Sequence, residues 1–292
     1  MSRLSVIEVK PNESYKILAW LIFALGALFY CYEYILRVST SVTANGVMQA
    51  FHLNASQYGG LSAYYYYAYF PLQLFVGLLM DRYGPRKLLV LCCLICAFGS
   101  FIFAHSHSLF FMKLSRFLIG FGSAFAFVGA LKLASIWLPP EKFAPVAGIV
   151  TMLGMLGAIF AQTILSHIVA HYGWRTTVAA TAWGGIGLTI LMLLIIRDKI
   201  KTMHTSYIPQ LDFSDLMRGL LISLRNYKIW LTGIIGLILF LPVTSFADLW
   251  CRKYLMTYGL NLIQVNIGNA RRSRKRVTKE KSTDGGGMGR VT

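Results

Sequence analysis

Hydropathy along this chain alternates on a scale too long for a soluble fold. The sequence runs apolar from about Ile17 to Thr43, and uncharged from Gln57 to Met80 and from Leu88 to Ser106. Further apolar runs open at Leu109, extend from Phe143 to His167 and from Trp174 to Ile196, and close with Ile229 to Trp250. Each is near the ~20 residues that a helix needs to cross a hydrocarbon core. The breaks between them carry turn residues: Gly84-Pro85, Pro139-Pro140 and Tyr172-Gly173. The pattern predicts an all-α integral membrane protein with seven spanning helices, and the lipid bilayer as its first partner.

Composition supports that reading, because 56% of the 292 residues are hydrophobic and only 13% are charged. The net charge of +17 would suit a nucleic-acid binder if it formed a face. Instead the basic residues sit in loops and one tail, so no nucleic-acid partner is expected. Arg3, Lys10 and Lys16 precede the first span, Arg82, Arg86 and Lys87 follow the second, Lys142 follows the fourth, and six more lie between Arg197 and Lys228. On the other side of the membrane only Arg175 appears before the seventh span. Positive residues are retained on the cytoplasmic side, which places the N-terminus inside the cell, in a bacterial inner membrane.

Few polar groups lie within the spans, and burying them is costly. Glu33 and Arg37 are one helical turn apart in the first span and can neutralise each other, lining a cavity or anchoring at the outer interface. In the second span Gly59, Ser62, Tyr66, Tyr69, Gln73 and Gly77 share one stripe, fit either for a solvated cavity or for aromatic packing. Tyr64 to Tyr67 are consecutive and must point in every direction. Arg116 lies deep in the fourth span beside Gly120 and Gly122, and Lys132, on nearly the opposite face, is expected to snorkel to the inner surface near Trp137. Thr151 and Gln162 are the polar positions of a fifth span rich in glycine and alanine. Candidate substrate contacts are therefore Glu33, Tyr66, Gln73, Arg116 and Gln162. Neither a catalytic constellation nor a cofactor or metal site is predicted. His105, His107, His167 and His171 gather at outer ends without carboxylates, and Cys31, Cys92, Cys93, Cys96 and Cys251 make no disulfide framework.

The sequence Gly77-x-Leu-x-Asp81-Arg82-x-Gly84-x-Arg86-Lys87, set between the second and third spans, resembles the signature loop of the major facilitator superfamily of secondary transporters. Arg116-x-x-x-Gly120-x-Gly122 resembles that family's fourth span, where the arginine faces the central cavity, and Gly173-Trp174-Arg175 resembles its turn between spans five and six. The resemblance implies a six-helix N-terminal bundle that works by alternating access on a small polar solute such as an organic anion, a sugar or a peptide. Gly77, Asp81, Arg82, Gly84, Arg86 and Lys87 would then form the gating motif. The glycine-proline pattern of the family's proton antiporters is missing from the fifth span, which favours symport with a proton or cation, or uniport.

The resulting organisation is a cytoplasmic tail over 1–16, the bundle over 17–197, a linker with an amphipathic helix over 198–228, a seventh transmembrane helix over 229–251, and a basic tail over 252–292. That tail, from Arg271 through Gly285-Gly286-Gly287, is expected to be disordered or non-native, since parity puts it outside and the family would begin an eighth span there. Five of the family's twelve spans are then missing, and Asp81 loses the partner that a second half would supply. Two other readings stay open: a truncated remnant without activity, and a membrane-anchored binder that uses the basic tail, Arg271 to Lys281, on acidic lipid or nucleic acid.

Overall fold

A computed structural model describes residues 13–197 and 225–242. Residues 198–224 of the linker expected over 198–228, the last part of the expected seventh span, Cys251 and the basic tail lie outside these residues. All regular structure among the described residues is helical.

The first helix, α1 (Glu13–Phe51), outruns the expected span and continues through residues 44–51, anticipated as an outer loop. Packing explains the extension. Val47 is fully buried in a second cluster with Tyr58, Phe103, Met112 and Trp174, and Gly46 lies so close to the Trp174 ring that no side chain fits there.

Helix α2 (Ala55–Tyr83) opens on a capping box, in which Asn54 Oδ1 accepts from the Gln57 amide and Gln57 Oε1 accepts from the Asn54 amide. Gly84, at φ 82°, ends α2 and admits Pro85 as the first residue of α3 (Pro85–His105). The fourth span is divided into α4 (Leu109–Ser123) and α5 (Ala126–Trp137). The fifth consists of α6 (Phe143–Phe160), a π-helical turn over Ala161–Leu165 and α7 (Ser166–Tyr172). Gly173, at φ 80°, repeats the Gly84 turn and starts α8 (Trp174–Ile195).

Five of these segments are long and apolar enough to cross a membrane: Tyr15–Phe51, Pro85–His105, Leu109–Trp137, Pro140–Tyr172 and Trp174–Ile195. The 29 residues of α2 have the length, but Tyr58, Tyr64 to Tyr67, Tyr69, Gln57 and Gln73 lower its mean hydropathy.

Within the unit formed by residues 1–225, α1 is the central helix. A side chain on Gly26 would strike Ala130 and Leu133 of α5, one on Gly157 would strike the Cys31 carbonyl, and Tyr32 Oη donates to the Thr181 carbonyl of α8 at 3.1 Å. Helix α4 is wedged between α2 and α3: Gly120 lies against the Tyr65 backbone and Gly122 against the Cys92 carbonyl. Such contacts let backbones approach where lipid offers no hydrophobic drive between helices.

Reciprocal arginines fasten α3 to α8. Arg175, the second residue of α8, donates from Nη1 to the Ala104 and Ser106 carbonyls at the end of α3, at 2.9 and 2.8 Å. Arg86, the second residue of α3, donates to the Leu193 carbonyl near the end of α8 at 3.3 Å. Each cation thus meets the negative end of the other helix. Helix α9 (Tyr227–Pro242) belongs to a second unit and is apolar over Tyr227–Leu239.

Candidate functional site

The polar centre of the bundle is assembled by α1, α2 and α4. Glu33 is fully buried, and its Oε1 accepts from Arg37 Nε at 2.9 Å and from Arg37 Nη2 at 2.7 Å, the one-turn pairing that the sequence allows. Tyr65 Oη of α2 donates to the same carboxylate oxygen and accepts from Arg37 Nε at 3.2 Å. Arg37 is held among aromatic faces, its guanidinium carbon 4.7 Å from the Tyr34 ring centroid, 5.0 Å from Tyr69 and 5.6 Å from Tyr65.

Arg116 of α4 lies 5.2 Å from the centroid of the same Tyr65 ring. Gly120, one turn on, makes this possible by bringing α4 onto the Tyr65 backbone. Only 3% of Arg116 is exposed; its Nη1 donates to the Leu36 carbonyl at 3.3 Å and its Nε has no hydrogen-bond partner among the described residues. No carboxylate among the described residues is within ion-pair distance of it. Among the described residues, one carboxylate and two guanidinium groups therefore share the centre, and the carboxylate is paired with Arg37. A buried cation in this position is costly unless an anion joins it.

The other candidate substrate contacts occupy different surroundings. Tyr66 is half-buried, edge-on to Tyr65 and stacked on Phe70. Gln73 donates through Nε2 to the Ala124 carbonyl at 3.3 Å, bonding a backbone group freed where α4 gives way to α5. Gln162 lies on the π-helical turn, a feature that often marks functional sites, and that turn packs on α1. Arg37 and Tyr65 were absent from the sequence-derived set. Arg37 carried a signal, its one-turn spacing from Glu33. Tyr65 carried none, since four consecutive tyrosines cannot be told apart by periodicity.

The signature loop lies at one end of the bundle. Asp81 Oδ1 meets Lys132 Nζ of α5 at 2.6 Å, so Lys132 reaches a carboxylate rather than only the membrane surface, and Asp81 has a partner within its own bundle. Arg86 caps α8 as described, Arg82 lies 5.5 Å from the ring of Tyr83, Lys87 is exposed, and Gly77 faces open space. Gly84 supplies the left-handed turn.

Comparison with known proteins agrees with this architecture. The profile of the Major Facilitator Superfamily matches residues 19–268. The "Probable sulfoacetate transporter SauU" of Cupriavidus necator is 28% identical over 178 residues, covering 61% of this chain and 41% of that protein. The "Uncharacterized transporter YybO" of Bacillus subtilis is 30% identical over 156 residues, covering 53% and 36%. The "Probable galactarate/D-glucarate transporter GudP" of Bacillus subtilis is 20% identical over 214 residues, covering 70% and 47%. The chain thus spans less than half the length of these relatives.

Among solved structures, an inward-facing, unoccupied bacterial homologue of the human lysosomal transporter Spinster aligns with a TM-score of 0.62 at 18% identity, covering 88% of this chain and 59% of that one. This likeness concerns the fold. With the profile matching most of its length, this membrane-spanning chain belongs to the Major Facilitator Superfamily.

Proposed function

We propose that this chain forms one wall of a carrier that moves a small anion across the membrane by alternating access. The observation that carries the reading is Arg116, a buried guanidinium with no carboxylate partner among the described residues, while Glu33 is occupied by Arg37. A carboxylate, sulfonate or nitrate group placed there would supply the missing charge through a charge-assisted hydrogen bond. The names of relatives point the same way: sulfoacetate, galactarate or D-glucarate, and, for NrtP of Picosynechococcus, nitrate or nitrite. Tyr66, Gln73 and Gln162 would contribute to the same path, by symport with a proton or cation or by uniport. The membrane is the bacterial inner membrane, with the N-terminus and the Asp81 loop on the cytoplasmic side.

Alternating access needs two halves about a midplane site, and the described residues of the first unit furnish one six-helix bundle. The test is therefore uptake by proteoliposomes holding the 292-residue protein, with labelled nitrate, sulfoacetate and glucarate. Saturable uptake of at least one anion, lost in Arg116→Gln, is expected. Uptake that Arg116→Gln leaves unchanged contradicts the role of Arg116, and no uptake of any anion contradicts carriage by this chain alone.

A further inference from the structure

Tyr65 occupies a position that neither the signature loop nor the anion reading explains. Its hydroxyl bonds Glu33 and Arg37, and its ring lies against both Arg37 and Arg116, with centroid distances of 5.6 and 5.2 Å. It is fully buried, and its backbone is pressed against α4 at Gly120. One carboxylate and two guanidinium groups thus lie around Tyr65. Arg37 has the advantage of being on the same helix as Glu33, one turn away, while Arg116 is on α4. Proximity on α1 is not the whole preference, because the tyrosine hydroxyl adds a third hydrogen bond to the carboxylate oxygen that faces Arg37.

We propose that Tyr65 is a positioning residue that holds the Glu33 carboxylate on Arg37 and thereby keeps Arg116 open for an incoming anion. The inference rests on the proposed role of Arg116. It adds a division of labour: the hydroxyl fixes the carboxylate, and the ring separates the two guanidinium groups while offering each a π face. Without the hydroxyl, Glu33 loses one of its anchors and can swing toward Arg116, where it competes with the anion. Tyr66, the next residue, stacks on Phe70 and meets the Tyr65 ring edge-on.

The test is anion binding to the 292-residue protein in nanodiscs, by titration with nitrate, sulfoacetate and glucarate in four backgrounds: wild type, Tyr65→Phe, Glu33→Gln and the double variant. Tyr65→Phe keeps the ring and removes the hydroxyl. It should weaken the best-bound anion by about tenfold, the scale of one hydrogen bond to a charged group. In the Glu33→Gln background the same change should have no effect, since no carboxylate remains to compete.

An equal loss in both backgrounds, or no loss in wild type, overturns the proposal. If wild type binds none of the three anions, the reading of Arg116 fails first and separately. Should Glu33→Gln not fold, phenylglyoxal labelling of Tyr65→Phe decides. Labelling of Arg37 should rise while that of Arg116 falls, and parallel changes or none at the two arginines overturn the proposal.

Discussion

Two ion pairs of nearly equal length occupy opposite environments in this bundle. Arg37 and Glu33 meet at 2.7 Å with side chains 8% and 1% exposed, whereas Lys132 and Asp81 meet at 2.6 Å with side chains 37% and 53% exposed. Distance alone would rank them as equals, and burial separates them. The exposed pair gains little from a contact that water and salt screen, about 0–1 kcal/mol. The buried pair, once formed, cannot be broken cheaply, because the survivor is left as a charge with no solvent. The Asp81 loop can therefore exchange partners at small cost, while the Glu33–Arg37 pair is held in place. The contrast also sets Arg116 apart, since it has the burial of the Glu33–Arg37 pair without a carboxylate partner among the described residues.

Removing Glu33 should break the comparison most severely. Glu33→Ala leaves Arg37 and Arg116 both without a carboxylate, and a loss of about 3–5 kcal/mol is expected, read as a lower unfolding temperature in detergent. A destabilisation as small as that of an exposed pair would mean that the centre is hydrated. Asp81→Asn sharpens the comparison from the other side. It should cost no more than about 1 kcal/mol, and that small difference should vanish in molar salt, where the Debye length is ~3 Å. A large, salt-independent loss would show that Asp81 is part of the core rather than of an exposed loop.

Much of this fold was legible in the chain. Charge-free runs, the Gly84-Pro85 and Tyr172-Gly173 breaks and the bias of basic residues gave the helices, because the bilayer sets their length and leaves few alternatives. The end of α1 was misjudged because residues 44–51 are weakly polar, and what keeps them helical is Trp174, more than 120 positions away. The site divides in the same manner. Glu33 with Arg37 is a local pairing that spacing reveals. Lys132 with Asp81, Gln73 with the Ala124 carbonyl and Tyr65 with Glu33 join different helices, and single-helix periodicity holds no record of which residues will face each other. Tyr65 is set apart from its three neighbours by complete burial and by the backbone contact with Gly120, both of which depend on another helix.

The account turns on Arg116 as a buried charge waiting for an anion. Calorimetric titration of nitrate, sulfoacetate and glucarate into the purified chain and into Arg116→Gln tests it most directly. Saturable one-to-one binding of at least one anion to the wild type, absent from the variant, is the predicted result. Equal binding by both proteins would contradict it.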